Sequence, residues 1–384
     1  MADHEGPEFV MSQVKLAAAY KTAGDLRQAI SLLEQTLAGS ERELGADDLV
    51  TATVRNNLAA AYRAAGESQR VVALLEQAVA DAEQALGDEH EITLAFRNNL
   101  AAAYQDTGEV RLAIRLHEQV LAAQERILGG QDPHTLETLN NLARAYGAAG
   151  EVGRALPLLE RVVADGERLL GADHPETLAF RNNLAAVYQQ LGDVRRAIPL
   201  YEGVLADRQR VLGDDHPATV ASLHNLAGAY AEAGDAQRAA SLSRMANEET
   251  LARRRKLLGP DHPDTLTSQN NLARDLSRLG MHQAARTLDE DTLARRIRVH
   301  GADHPWTLTT ASNLGFDLRR LGEHQAARDL DADTLARRRR VLGYDHPRTL
   351  ASAINLAEDL ERLGDHQGAA ALRAEVSHRR SGHG

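Results

Sequence analysis

Asparagine carboxamides at a fixed spacing are the side chains of this sequence best suited to bind another molecule. Asn57, Asn99, Asn141, Asn183 and Asn225 follow one another at 42 residues, and Asn271, Asn313 and Asn355 resume the series after one interval of 46. Asn56, Asn98, Asn140, Asn182 and Asn270 stand one place before them. A carboxamide carries donors and an acceptor without charge, so a row of them could hold the peptide units of an extended chain. The residues three places after the ladder vary, with Arg144, Arg274, Phe316 and Glu358 among them, as do Arg63, Gln105, Gln189 and Arg319 six places after it. Such variable neighbours would select a ligand's side chains. A second reading needs no ligand: the same amides could hydrogen-bond between adjacent elements and tie them together.

Other chemistry-bearing residues point away from catalysis. His90, His174, His216, His262, His304 and His346 come one per repeat, and equivalent atoms of adjacent helices lie about 10 Å apart, too far to share an ion. They are expected to cap helices, and His282, His324 and His366, a second such row, are expected to cap or pack likewise. The recurring Thr51, Thr93, Thr135, Thr177, Thr219, Thr265, Thr307 and Thr349 read as packing residues. Carboxylates such as Asp289-Glu290-Asp291 on a regular helix are expected to be solvated. There is no phosphate-cradling Gly-rich loop and no cysteine, which excludes thiolate sites and favours a cytoplasmic location. No cofactor is implied, and nothing builds an active site. The runs Arg253–Lys256, Arg295–Arg298 and Arg337–Arg340 fall near helix C-termini, where cations are favoured. A basic ridge for an acidic partner is the lesser reading, and a net charge of −11 disfavours nucleic acid. No apolar run is long enough for a membrane span.

The elements that must position these residues follow from the period. Seven of the nine copies open with Pro at a first helical position, as at Pro175, and each breaks at a glycine nine residues after the Asn position, as at Gly192; the same glycine recurs from Gly24 to Gly364. A second apolar stripe then runs to another glycine, Gly213 in this copy. The unit is a pair of antiparallel helices, A and B, and nine copies fill the chain. At 100° per residue the Asn lies away from Leu184, Ala185 and Tyr188, which form the core face. One pair cannot bury its stripe alone, so the copies must stack. Small residues where A meets B, Ala185 and Ala197, allow close approach; Val71 replaces the latter in the second copy.

The Leu-Ala-x-x-Tyr then Ala pattern resembles the tetratricopeptide repeat. The 42-residue period and the opening Gly-x-Asp-His-Pro-x-Thr-Leu, as in Gly171–Leu178 and Gly301–Leu308, are similar to kinesin-light-chain-type repeats, including those of bacterial regulatory proteins joined to ATPases. The resemblance implies an all-α, right-handed superhelical solenoid whose A helices line a concave groove for an extended peptide or protein. The expected function is a non-enzymatic binding scaffold; the alternatives are a sensor module of a signalling NTPase, or a self-associating array that forms homo-oligomers through its end repeats. The single irregular spacing places four extra residues in helix B of the sixth copy. Beyond it Tyr230 gives way to Leu276, Leu318 and Leu360, and Asp275, Asp317 and Asp359 appear beside them, with Arg278, Arg320 and Arg362 three residues on. Two sub-arrays are therefore expected, residues 1–250 and 251–384.

Overall fold

Glycine and proline set the rhythm of the chain, and helices fill everything between them. The computed structural model describes residues 6–22 and 25–381, and among these it is helical with short turns and no strands. Gly24, Glu5 of the first copy and the terminal residues 382–384 lie outside the described residues. The A helices are α1 (Pro7–Thr22), α3 (Leu49–Ala65), α5 (Glu91–Asp106), α7 (Pro133–Ala148), α9 (Pro175–Gln190), α11 (Pro217–Glu232), α13 (Pro263–Arg278), α15 (Pro305–Arg320) and α17 (Pro347–Arg362). The B helices are α2 (Leu26–Glu43), α4 (Ser68–Leu86), α6 (Val110–Ile127), α8 (Val152–Leu169), α10 (Val194–Leu212), α12 (Ala236–Leu258), α14 (His282–His300), α16 (His324–Leu342) and α18 (His366–Ser381).

Local chemistry explains the boundaries. Six recurring histidines, five in Asp-His-Pro openings and His90 in Glu-His-Glu, sit at N-caps, where Nδ1 accepts from the backbone N–H two residues on, at 3.2 Å in His304 and 3.3 Å in His174. Asp48 and Asp132 do the same with a carboxylate. Helix A turns into helix B through glycines such as Gly66 at φ +82°, a left-handed conformation that side chains resist. The four extra residues lie inside α12, which has 23 residues against 19 in α14.

The chain divides into two compact units, Met1–Leu200 and Tyr201–Gly384. Within each, helices pack on their sequence neighbours, as α3 does on α4 and α13 on α14. A helices also lie close to A helices of the next copy, α1 to α3, α7 to α9 and α13 to α15, whereas B helices reach one another through long side chains, as Arg161 of α8 does Glu125 of α6 at 3.1 Å. The A row is therefore the tight side of each stack. The first unit buries Val54, Leu58, Leu75, Leu136, Leu139 and Val162. Its A helices carry a tyrosine whose hydroxyl donates to a glutamate on the preceding B helix: Tyr104 to Glu76 at 2.6 Å, Tyr188 to Glu160 at 2.9 Å. Burial and then the glutamate push the Tyr104 and Tyr146 phenols up to about 12. Arg154 lies over the Tyr146 ring at 4.0 Å, adding a cation–π contact.

The second unit begins with the same device at Tyr230 and Glu202, 2.5 Å apart, and then changes to buried carboxylates. Asp275, Asp317 and Asp359 on A helices face residues 247, 289 and 331 on the preceding B helices, and the three pairs are resolved differently. Asn247 donates its amide to Asp275 at 2.6 Å. Asp331 and Asp359 share the Arg319 guanidinium, which lies 3.1 Å from Asp359. Asp289 faces Asp317 with no donor on either oxygen, while Asp317 takes Ser277 and His282 at 2.7 Å each. Asp289, expected in solvent, is thus fully buried. The helical period turns it toward α15 while Glu290 and Asp291 face outward. Nor do the expected i,i+3 arginines neutralise the row: Arg278 reaches Asp275 at 3.6 Å, but Asp317 and Asp359 are held by other residues. Gly315, the variant in Asn-Leu-Gly, makes room for Asp331, whose Oδ1 would stand 2.9 Å from a Cβ there.

Burial first, and Asp317 second, push the Asp289 carboxyl up to about 8, with Arg296 opposing; burial likewise raises Asp331 to about 7. These folded-state values lie above the unfolded ones, so the native state binds the extra protons. Stability from these pairs is complete below about pH 4 and is lost as pH rises toward 8. The second unit is expected to lose at least ~2 kcal/mol between pH 5 and pH 8 in urea melts, and Asp289→Asn, which copies the Asn247 solution, to remove much of that slope. An unchanged slope in the variant would assign the pH dependence elsewhere.

Candidate functional site

The A-helix face is built from side chains that the helical period turns away from the B helices. Its first feature is that the amides meet each other. Asn99 Nδ2 donates to Asn56 Oδ1 at 2.9 Å, Asn183 Nδ2 to Asn140 Oδ1 at 2.8 Å, and Asn313 Nδ2 to Asn270 Oδ1 at 3.2 Å. Each bond joins one copy's repeated Asn to the preceding copy's second Asn. Asn98 donates to Thr138 at 2.6 Å and accepts from His117, whose ring is fully buried and held neutral, its pKa lowered to about 4 by burial and then by Arg144. Thr310 donates to Asn270 at 3.1 Å. Asn57 turns back to its own helix, to the Thr53 carbonyl at 2.9 Å. Asn140 and Asn270 are buried, while Asn141, Asn182, Asn225, Asn271 and Asn355 are half-buried. The ligand-free reading of the ladder therefore describes these bonds. Each amide in a pair still keeps one N–H or one lone pair beyond the tie.

The second feature is the set of exposed residues between the ties. Arg144, Arg274, Phe316 and Glu358 are open to solvent. In the second unit they line two hollows. One, of about 190 Å³, lies among Arg274, Ser277, Arg278, Asn313, Phe316 and Asp317. The other, of about 590 Å³, is lined by Phe316, Arg319 and Arg320 of α15, Glu358, Glu361 and Arg362 of α17, and Arg373 of α18, among others. Phe316 is 47% exposed, though its ring meets the His282 imidazole edge-on at 6.1 Å. Arg373 is engaged by Glu361 at 2.9 Å. Arg362, Arg320 and Arg278 recur one per copy, so the face of α13, α15 and α17 presents a row of guanidiniums around one phenylalanine. Sequence spacing brought Arg274 and Phe316 forward; Arg278, Arg320 and Arg362 appeared there only as partners for aspartates.

The basic runs have a different fate. Arg295 binds Asp261 at 2.8 Å, Arg337 binds Asp303 at 3.0 Å and Arg340 binds it at 2.6 Å, each reaching the Asp-His-Pro opening of its own copy. Arg296 and Arg338 are buried. The basic ridge is thus largely engaged, by ion pairs within a copy and by the buried Arg296 and Arg338 between copies. Asp289 and Asp331, the carboxyls raised furthest, are closed to any substrate. Among the described residues no group of three or more His, Asp or Glu is arranged to hold a metal ion, and no helix is long and apolar enough to cross a membrane.

The helical-repeat fold agrees with what known proteins show. The family profile described as tetratricopeptide repeat matches residues 8–84, 91–167, 153–202, 176–246, 242–297, 278–337 and 306–375. Among solved structures, the kinesin light chain nearly identical TPR-like repeats of a Podosopora anserina protein are 39% identical, covering 54% of this chain and 99% of that one, with a TM-score of 0.46. The signal-transduction ATPase with a tetratricopeptide repeat sensor from Pyrococcus horikoshii is 14% identical over 98% of this chain and 52% of its own, with a TM-score of 0.61. The apo form of RapI is 11% identical over 97% of both chains, with a TM-score of 0.52. A comparison with curated proteins returns no match.

If the amide pairs tie copies together, Asn183→Ala should cost about 1 kcal/mol of unfolding free energy in urea, and Asn57→Ala, which breaks only a bond within its own helix, clearly less. Equal losses at the two sites would remove the distinction.

Proposed function

The chain belongs to the tetratricopeptide repeat family, and on that premise we propose that it is a non-enzymatic scaffold that holds an extended segment of a protein partner along its A helices. The observation that carries this reading is Phe316, a large apolar side chain left open within a row of guanidiniums on the tight side of the second unit. A phenylalanine so placed would anchor an apolar or aromatic side chain, and Arg274, Arg278, Arg320 and Arg362 would pair with carboxylates around it. The preferred segment is therefore acidic, extended and carries at least one apolar residue. In this reading the asparagines of both rows fix the register of successive A helices and offer their remaining N–H groups and lone pairs to the guest's backbone, while Arg144, Arg274 and Phe316 choose among guests.

The two sub-arrays, 1–250 and 251–384, are part of the proposal. The tyrosine–glutamate device is last used at Tyr230, and the buried aspartates begin with Asp275, so the chemistry changes at the sixth copy's elongated α12. A sensor role within a signalling regulator would use the same face. The likenesses to the Pyrococcus protein and to RapI support the fold of such a module and leave its ligand open.

Fluorescence anisotropy with short acidic peptides, with and without a central aromatic residue, tests the reading. Combined Arg274→Glu and Phe316→Ala substitution should weaken the acidic aromatic peptide at least about tenfold while helicity is kept. Equal binding of a basic peptide of the same length would refute the assignment.

A further inference from the structure

Successive copies meet at one recurring junction, where the last turns of helix B touch the start of the next helix A, and the residues there come as matched sets. In the second and fourth copies a small residue on B, Ala82 or Gly166, faces a phenylalanine on the next A helix, Phe96 or Phe180; a Cβ added to Gly166 would stand 3.0 Å from the Phe180 ring. In copies five to eight the B residue is an arginine and the A residue is small and polar. Arg208 donates to the Ala218 carbonyl at 3.0 Å and to Ser222 at 2.8 Å. Arg254 repeats this with Asp264 at 3.1 Å and Ser268 at 2.8 Å. Arg296 adds a bond to the preceding A helix, reaching Trp306 at 2.7 Å, Thr310 at 3.0 Å and the Leu266 carbonyl at 3.3 Å. Arg338 does likewise with Arg348, Ser352 and the Leu308 carbonyl at 2.9 Å. The junction is thus a cradle for a planar guanidinium, lined by carbonyls of two A helices and one hydroxyl.

The third copy has the cradle without its arginine. Gln124 stands at the arginine position and Thr138 at the small polar one, so neither a guanidinium nor a phenyl ring fills the space. A hollow of about 410 Å³ opens there between α5 and α7, lined by Gln124, Leu94 and His134, the last two being counterparts of the residues whose carbonyls bind Arg296. Gln124 is 4% exposed and its Oε1 has no hydrogen-bond partner among the described residues. Ile92, Ala95 and Leu128 supply apolar walls, and Glu91 and Glu137 stand at the mouth. The Glu137 carboxyl is held above the ordinary range by desolvation and by Glu176, so a cation there would relieve it.

We propose that this hollow is a binding site for an arginine side chain presented by a partner protein. Acceptors on two helices, an unpartnered Gln124 oxygen and carboxylates at the rim suit a guanidinium, whose donors lie in a plane, better than a compact ammonium. The two rim carboxylates would repel the α-carboxylate of free arginine, which favours arginine within a chain. The site rests on the binding-scaffold reading, but it lies in the first unit and is probed without any peptide of the Phe316 face, so either can fail alone.

Ligand-observed NMR with N-acetyl-arginine methylamide tests it. The probe should bind with Kd on the order of 1–10 mM, at least tenfold tighter than its lysine counterpart. Gln124→Arg should fill the cradle from within, abolish binding and raise the thermal midpoint, as the chain's own copies do. Glu91→Gln with Glu137→Gln, which leaves the cradle intact, should weaken binding by at least about threefold. Equal affinity for the lysine probe, or undiminished binding by a folded Gln124→Arg variant, would overturn the site. Free arginine binding as tightly as the blocked probe would overturn the partner-borne source.

Discussion

A helix pair with an apolar stripe on each side cannot keep water from both, so everything in this protein depends on how one copy meets the next. The small residues Ala29, Ala113, Ala155 and Ala197, all fully buried, let helices A and B close on each other. The junctions between copies are matched sets rather than a uniform seam. Bulk moves from one helix to its neighbour in Gly166 and Phe180, and charge moves with polarity in Arg296 and Thr310. Because each junction is a local agreement between two copies, the chain can change its chemistry along its length without changing its fold.

That freedom explains the second unit. Replacing the tyrosine–glutamate contact by facing carboxylates would be ruinous if both were charged in a closed site, since buried charge without a partner costs several kcal/mol. The three pairs show three ways out: an amide at Asn247, a guanidinium at Arg319, and an Asp289 carboxyl whose pKa burial raises to about 8 beside an Asp317 held by Ser277 and His282. Polar groups also settle the helix ends, where the aspartates of the Asp-His-Pro openings take arginines from helix B of the same copy.

Much of this was legible in the spacing of a few residue types. Proline before helix A, glycine after it and the 42-residue return of Asn-Leu-Ala place the helices, and the interval of 46 places the extra turn in α12. The capping role of His174 and its equivalents follows from their place before a proline. The site was less legible, because a helical wheel gives the face on which Asn183 lies but not the reach of Asn140 from the copy before. Asp289 was misjudged for a related reason: its neighbours in sequence are solvated, and only the next A helix makes it buried. The arginine cradle was hidden because its members are far apart in sequence and make sense only when copies are laid over one another.

The account's central claim is that the A-helix row is the working face and the B helices are the supporting one. Hydrogen–deuterium exchange of the chain with and without a bound acidic aromatic peptide tests it most directly. Slowed exchange should concentrate in segments of α13, α15 and α17. Slowing confined to α14, α16 and α18, with the A helices unchanged, would contradict it.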